Sequence, residues 1–532
     1  MKQVGLYSIC FMFFFSCHFK EEQPAAQVTP RDYSIDTVVD TNGLFLDSLR
    51  VEKHLKQHKY DPAIFLKFRN FYNGRNYQYA WFDKTGMREY AASFMNLFNE
   101  YIRYSKDSSL LYRNLQVQFD SLNNAGSSLL FSDSLVFDTE LLLTAQFFRY
   151  AAKAYTGNTV INPRELEWFI PRKKVNPVAI LDSMLATKNK DLSLQEPLNH
   201  QYKKLKQHIL RYYEIEKQGG WKTIQADKKT YRLNDNSATV TALKQRLFLT
   251  GDLKEKDSSQ LFTPSLETAV KHFQKRLGLK EDGIITKTLV AEMNKPVQVR
   301  LQQILINMER LRWLPAEASN DILLVNIPEF KLHILSDGKQ VRDMNVVVGT
   351  VVNNTVIFSA EFKYVVFSPY WNIPPGILYK EILPAIRRNS NYMQQHDMEW
   401  YGNTIRQRPG PENPLGLVKF LFPNSFNMYL HDSPAKSLFT QTKRTFSHGC
   451  MRVADAKWLA QFLLRDEPEW TEAAIDTAMH SGKEHFVDVK RKVTVYVVYL
   501  TAFVDADGNL NFRDDVYGHD KKMAATLFKQ SK

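Results

Sequence analysis

One change of rhythm, at Pro315, constrains this chain more than any other feature. Ahead of it, Val297, Leu301, Ile304, Leu305, Met308 and Leu311 recur at three- and four-residue spacing, the stripe of an amphipathic helix over 297–314. Beyond it the apolar residues alternate, Phe330, Leu332 and Ile334 interleaving with Lys331, His333 and Leu335. The stretches 322–327, 330–335, 341–348 and 358–367 read as strands, and Ser336-Asp337-Gly338-Lys339 reads as a hairpin turn. After a helical 454–464, strands resume at 493–504, and Asp505-Ala506-Asp507-Gly508 closes a last hairpin onto 510–512. A chain of 532 residues has room for three or four domains. The predicted fold is therefore multidomain α+β, with the helices first and a mainly β domain last.

The helical part divides further. Residues 44–230 carry aromatics and leucines at helical spacing, as in 90–104 and 139–155, and no catalytic constellation. They predict a helical scaffold domain. Residues 231–296 form a smaller unit. Val240, Leu243 and Leu247 make one stripe ended by Gly251; Thr263-Pro264 caps a second helix carrying Leu266, Val270, Phe273 and Leu277, with Gly278 at its end. Asp282-Gly283 turns into a third helix at 286–293. Residues 297–319 then serve as a connecting helix, 320–515 as the β domain and 516–532 as a C-terminal tail. Within the β domain, helix-like periodicity over 376–401 and a Pro/Gly-rich run at 409–416 predict an inserted lid at about 376–416.

Composition narrows the partners. The formal net charge of +13 suits an anionic partner without identifying one. A phosphate-binding glycine loop and a basic-aromatic stripe are both missing from the sequence, which disfavours nucleotide chemistry and nucleic-acid binding. No stretch reaches the roughly 18 apolar residues of a membrane span. The first 17 residues have Lys2, an apolar run at 4–15 and Ser16 before Cys17, the pattern of an export signal. Ser16-Cys17 also resembles a lipobox, although Phe14 and Phe15 depart from it; an uncleaved N-terminal anchor is the other reading. Residues 18–43 form a polar tether. The expected location is thus exported and periplasmic, with membrane attachment only through the signal or a lipid on Cys17. Cys10 and Cys17 belong to that leader, so the exported body holds a single thiol, Cys450. One cysteine makes neither an internal disulfide nor a cysteine-based zinc site. It is a buried core residue or a nucleophile.

The neighbourhood of that thiol favours the second reading. A thiol of ordinary value about 8.5 needs a base or a positive environment to act near neutrality. His448 lies two residues upstream in Ser447-His448-Gly449-Cys450, and His431 ends the strand-like run 420–430 nineteen residues upstream. Two residues apart on a strand, His448 flanks the nucleophile; His431, returning across the sheet, faces it and is the better base. Gly449 lets a substrate carbonyl approach the backbone closely and leaves the Cys450 amide free as an oxyanion donor.

His431, fifteen intervening residues, then Ser447-His448-Gly449-Cys450-Met451-Arg452 resembles the signature of the L,D-transpeptidases, whose catalytic domain is of YkuD type. The resemblance implies Cys450 as nucleophile and His431 as proton acceptor and donor, with the Asp432 carbonyl fixing its tautomer and His448 in support. It implies Gly449 as the backbone oxyanion position, with Arg452, Ser447 and Trp371 toward the substrate. The unit at 231–296 resembles a three-helix peptidoglycan-binding domain, in Leu243-Lys244-Gln245-Arg246-Leu247, Ala269-Val270-Lys271-His272-Phe273-Gln274 and Gly278-Leu279…Asp282-Gly283; an inert bundle could carry the same stripe. The whole chain resembles the large YcbB-like members, a match strengthened by Asn307-Met308-Glu309-Arg310-Leu311-Arg312-Trp313-Leu314-Pro315 and Tyr370-Trp371-Asn372-Ile373-Pro374. The activity that this resemblance implies is 3→3 cross-linking of peptidoglycan stem peptides through a Cys450 acyl-thioester, inhibited by carbapenems, with no metal or organic cofactor. Two other outcomes fit the same residues: an L,D-carboxypeptidase with water as acceptor, and a wall-binding lipoprotein whose catalytic domain is silent.

Overall fold

A computed structural model describes residues 44–58, 60–125, 134–187, 191–316 and 321–529. The leader 1–17 and tether 18–43 lie outside the described residues. Among the described residues, no helix is long and apolar enough to cross a membrane. The chain forms two compact units, one comprising residues to 99 with 108–151 and 176–195, the other comprising 100–107, 152–175 and everything from 196.

The first unit is helical. Asp47 and Asp61 cap the helices Ser48–Gln57 and Pro62–Gly74, each side chain accepting first-turn amides. The helix Ser134–Ala151 is buried on almost every side and forms the core. Its buried carboxylate, Glu140, accepts the Tyr72 hydroxyl at 2.7 Å and the Ala80 and Trp81 amides at 2.7 and 2.9 Å, so the charge is satisfied where it is desolvated.

The second unit holds more than the bundle and the β domain. Helix α1 (His200–Lys217), within the span expected as scaffold, packs here and buries Tyr202, Leu205, Ile209, Tyr212 and Ile215. The small bundle follows as α2 (Ala238–Thr250), α3 (Pro264–Arg276) and α4 (Lys287–Met293). Thr263 caps α3 and Gly251 is left-handed after α2, as the sequence predicts; Ser237 and Thr286 cap α2 and α4. Val240, Leu243, Leu247, Leu266, Val270, Phe273 and Leu289 share its core. Helix α5 (Val297–Trp313) is more than a connector. Asn307, Glu309, Arg310 and Arg312 are buried, and each side chain is partnered: Asn307 donates to Thr501 at 2.7 Å, Arg310 pairs with Asp520 at 2.6 Å, and Arg312 pairs with Glu309 at 2.5 Å. Asp520 lies on α6 (His519–Leu527), so the segment expected as a tail is a helix packed on α5.

The β domain has eleven main strands: β1 (Asp321–Asn326), β2 (Lys331–Ser336), β3 (Lys339–Gly349), β4 (Phe358–Glu361), β5 (Tyr364–Phe367), β6 (Val418–Leu421), β7 (Leu430–His431), β8 (Thr445–Ser447), β9 (Met451–Val453), β10 (His485–Asp488) and β11 (Val493–Val498). Their order is β10-β5-β6-β7-β9-β3-β2-β1-β11-β4, with β8 also beside β3. The Asp337-Gly338 turn joins β2 to β3 with both residues at positive φ, 50° and 73°, the hairpin geometry that twisted strands require. The expected single strand 358–367 is broken: β4 pairs with β11 near one edge, β5 with β6 and β10 near the other. Only Phe362 and Lys363 join them, a reach of about 11 Å at about 3.8 Å per residue, against roughly 38 Å across eight strand spacings of a flat sheet. The sheet must curl until its edges meet. The run 420–430 is likewise two strands, because Asn424 accepts the Phe426 and Met428 amides and turns the chain between β6 and β7.

The lid begins earlier than expected, at Trp371. A three-stranded sheet of Trp371–Asn372, Thr404–Gln407 and Met398–Tyr401 packs against short helical turns between 375 and 395. Ile373, Leu378, Ile382 and Ile405 give it its own small core.

Candidate active site

Register brings the candidate residues together. Strand β7 runs parallel to β9, with Leu430 beside Met451 and His431 beside Arg452. Leu430 and Met451 are fully buried on one face. Alternation then places His431 and Arg452 on the opposite face. Tyr429 and Cys450 immediately precede the two strands, where the Met451 amide donates to the Tyr429 carbonyl at 3.2 Å and the Tyr429 and Cys450 side chains interact. His431 is buried, and its Nδ1–H donates to the Asp432 carbonyl at 2.6 Å, which leaves Nε2 as the unprotonated nitrogen of the neutral ring. The Tyr429 and His431 rings lie 5.7 Å apart. Cys450 is partly exposed, its Sγ 3.8 Å from the Asn427 carbonyl.

The turn that carries Cys450 is held by Ser447. Its hydroxyl donates to the Cys450 carbonyl at 2.5 Å and accepts the Gly449 amide at 3.1 Å. Gly449 has a φ of 118°, a conformation that suits glycine. The Gly449 amide is thus occupied, and the Cys450 amide donates to no group among the described residues. Ser447, expected toward the substrate, is buried and committed to the turn.

Three titratable groups set the chemistry. Burial, and then the Arg452 guanidinium, lower the His431 pKa to about 4, so the ring is neutral at pH 7; the Asp432 carbonyl bond pulls the other way. Burial raises the Cys450 thiol, opposed by hydrogen bonding from Tyr429 and by the Arg452 charge. The resting pair is therefore thiol and imidazole. Burial lowers Arg452, whose Nε is buried without a hydrogen-bond partner among the described residues. It is a cation whose field acts on the thiol.

Other predicted residues lie elsewhere. His448 is in the turn rather than on a strand, so the two-residue alternation does not apply to it. Its exposed ring points to the lid, with Nε2 3.6 Å from Glu381 Oε1. Trp371 packs into the lid's core. Tyr429 was missed as a site residue, although its position two before His431 carries the signal. A second missed element is Gly416, at φ 64°, where a Cβ would overlap the Asp432 carboxylate. That carboxylate accepts the Leu417 amide at 3.0 Å and pairs with Lys436 at 2.5 Å, anchoring the residue whose carbonyl orients His431. Gly416→Ala is expected to destabilise the catalytic domain by about 1–3 kcal/mol, from left-handed backbone strain and the displaced carboxylate. The check is a lowered thermal transition; an unchanged one would show that the loop yields freely.

Comparison with known proteins gives three family matches. A family model for the L,D-transpeptidase catalytic domain (YkuD) matches residues 320–495, one for a scaffold domain matches 67–209, and one described as "Putative peptidoglycan binding domain" matches 236–293. The C-terminal domain of this chain belongs to the L,D-transpeptidase family. More particularly, the chain joins that catalytic domain to a scaffold and a peptidoglycan-binding domain. It is 31% identical over 243 residues to "Putative L,D-transpeptidase" of Haemophilus influenzae, covering 42% of this chain and 49% of that protein. The chain thus spans about half the length of the curated relative it matches. Among solved structures it is similar to an L,D-transpeptidase from Stackebrandtia nassauensis, at 12% identity, 52% and 97% of the two chains and a TM-score of 0.23. It is also similar to one from Mycobacterium smegmatis, at 13% identity, 34% and 59% of the chains and a TM-score of 0.20.

Proposed function

We propose that this protein forms 3→3 cross-links between peptidoglycan stem peptides. The observation that supports the reading is the register of β7 and β9, which pairs His431 with Arg452 directly after Tyr429 and Cys450, with His431 neutral and its Nε2 unprotonated. In the first half-reaction Cys450 Sγ attacks the carbonyl of the third, L-centred residue of a tetrapeptide stem while its proton passes to His431 Nε2. The tetrahedral oxyanion takes the Cys450 amide. Collapse breaks the peptide bond to the terminal D-Ala, whose amine leaves with the proton from His431. In the second, an amine on the third residue of a neighbouring stem attacks the thioester, its proton returns through His431, and the thiol is regenerated. Arg452 holds a stem carboxylate, and the lid covers the groove. A carbapenem acylates the same sulfur when its lactam ring opens. The peptidoglycan-binding domain supplies the wall contact.

Purified protein incubated with disaccharide-tetrapeptides is expected to yield dimers and free D-Ala. Tripeptide product without dimers would make water the acceptor, and no product would leave a wall-binding protein with a silent site. We also propose export and lipid attachment at Cys17, supported by the leader pattern; mass spectrometry of the mature N-terminus checks it, and an uncleaved Met1 would refute it.

A further inference from the structure

Thr355 lies 95 residues before the nucleophile and touches none of the groups described so far except one, for it is fully buried and its hydroxyl ends at the nucleophile's own peptide bond. Thr355 Oγ1 is 2.6 Å from the Gly449 carbonyl and accepts the Gly349 amide at 2.9 Å. A hydroxyl has one proton. With an N–H on its accepting side, that proton goes to Gly449. Because the Gly449–Cys450 peptide is trans, a carbonyl held toward Thr355 directs the Cys450 N–H the opposite way.

We infer that Thr355 is a positioning residue for catalysis, fixing the direction in which the Cys450 amide donates to the oxyanion. The inference rests on the acyl-transfer reading of the site. Glycine at 449 makes such a device necessary, since at φ 118° this backbone has unusual freedom to rotate its flanking peptides. The loop carrying Thr355 is built to hold it still. Gly349 admits the loop's return, because a Cβ there would overlap the Asn353 carbonyl. Tyr517 donates to the Gly349 carbonyl at 2.6 Å and accepts the Thr355 amide at 3.4 Å, so the segment beyond 515 reaches back to this loop. On its other side the loop is tied to a segment from far upstream. Asn354 donates to the Glu167 carboxylate at 2.5 Å, Ile357 donates to the Glu167 carbonyl at 2.9 Å, and Phe169 donates to the Ile357 carbonyl at 2.7 Å. Threonine thus stands between two fixed backbones with one proton to give.

The test separates oxyanion stabilisation from thiol reactivity. Acylation of the full chain by a carbapenem forms a tetrahedral oxyanion; alkylation by iodoacetamide, a displacement at carbon, does not. In Thr355→Val, carbapenem acylation followed by mass is expected to fall about 10²–10³-fold, as for loss of an oxyanion donor, with alkylation within about twofold of wild type. Thr355→Ser, which keeps the proton, should recover acylation to within about tenfold of wild type. Equal losses in both reactions would make Thr355 merely structural, and unchanged acylation in the valine variant would overturn the proposal outright. Should the valine variant not fold, Tyr517→Phe loosens the same loop. A several-fold loss of acylation alone is expected there, and no selective loss would overturn the proposal. A wild-type protein that is alkylated but never acylated would overturn the functional reading, and this inference with it.

Discussion

A Cys450→Ala variant is expected to keep its fold and lose all acyl transfer. The fold should survive because the sulfur is not what holds the turn. Its one described hydrogen-bond contact besides Tyr429 is a long one, 3.8 Å to the Asn427 carbonyl, whereas Ser447 ties the Gly449 amide and Cys450 carbonyl and Thr355 holds the Gly449 carbonyl. Removing one partly exposed Sγ therefore costs little, within about 1 kcal/mol. Activity should vanish because the other two cysteines, Cys10 and Cys17, lie at the far N-terminal end of the sequence, and Tyr429, His431 and Arg452 around Cys450 include no serine or threonine to stand in for the thiol. Cys450→Ser is the sharper comparison. Its hydroxyl is a far poorer nucleophile than a thiol beside a neutral imidazole, and a loss of at least ~10³-fold is expected. Wild type incubated with a carbapenem should gain the mass of the intact drug, and neither variant should. Dimer formation by the alanine variant, or an adduct on it, would place the chemistry elsewhere.

How much of this was legible in the sequence depends on how far apart the partners lie. The period change at Pro315, the Asp337-Gly338 turn and the capped helices of the small bundle are local patterns, and each appears where its residues predict it. His431 and Cys450 were legible because both lie in one short stretch and both carry distinctive chemistry. Tyr429 shares that stretch but reads as an ordinary strand aromatic, so only alternation from His431 marks it. Thr355, Glu167 and Tyr517 were beyond reach. Nothing in the residues around Thr355 signals that its proton serves a carbonyl 94 positions later. Packing partners were out of reach for the same reason. Helix α1 has the stripe of any amphipathic helix, and the stripe does not say that α1 packs on α5. The stretch expected as one strand at 358–367 and the run 420–430 are each rich in apolar and aromatic residues, while the corner that breaks them is fixed by which strand each half pairs with. The lid's core was visible as periodicity, but its true start at Trp371 depends on a pairing with Thr404–Gln407.

The pH dependence of the two reactions of the thiol should diverge, and the divergence reports the state of the His431–Cys450 pair. Two directions enter. His431 is lowered to about 4 by burial and by Arg452, so its imidazole is free to accept a proton at every pH above that. Cys450 is raised by burial, so it holds its proton through neutrality and beyond the ordinary thiol value of about 8.5. Carbapenem acylation needs the neutral pair, thiol with free imidazole, because the proton moves to Nε2 as the bond forms. Its rate should therefore rise through about pH 4, well below the ordinary histidine value of about 6.5, and stay level through neutrality. Iodoacetamide instead consumes thiolate that is already present. Alkylation of the resting protein should be slow at pH 6 and climb about tenfold per pH unit to above 8.5, with no shoulder in the acid range. A thiolate–imidazolium pair would reverse the second result, giving fast alkylation between pH 4 and 7, and that outcome would overturn the assignment. His431→Gln removes the acceptor while keeping a side chain of similar reach. Acylation at pH 7 should fall about 10²–10⁴-fold, and its level plateau should become a slope that follows thiolate. The alkylation profile should move little, because His431 is uncharged where alkylation is measured and contributes no field to hold the thiolate.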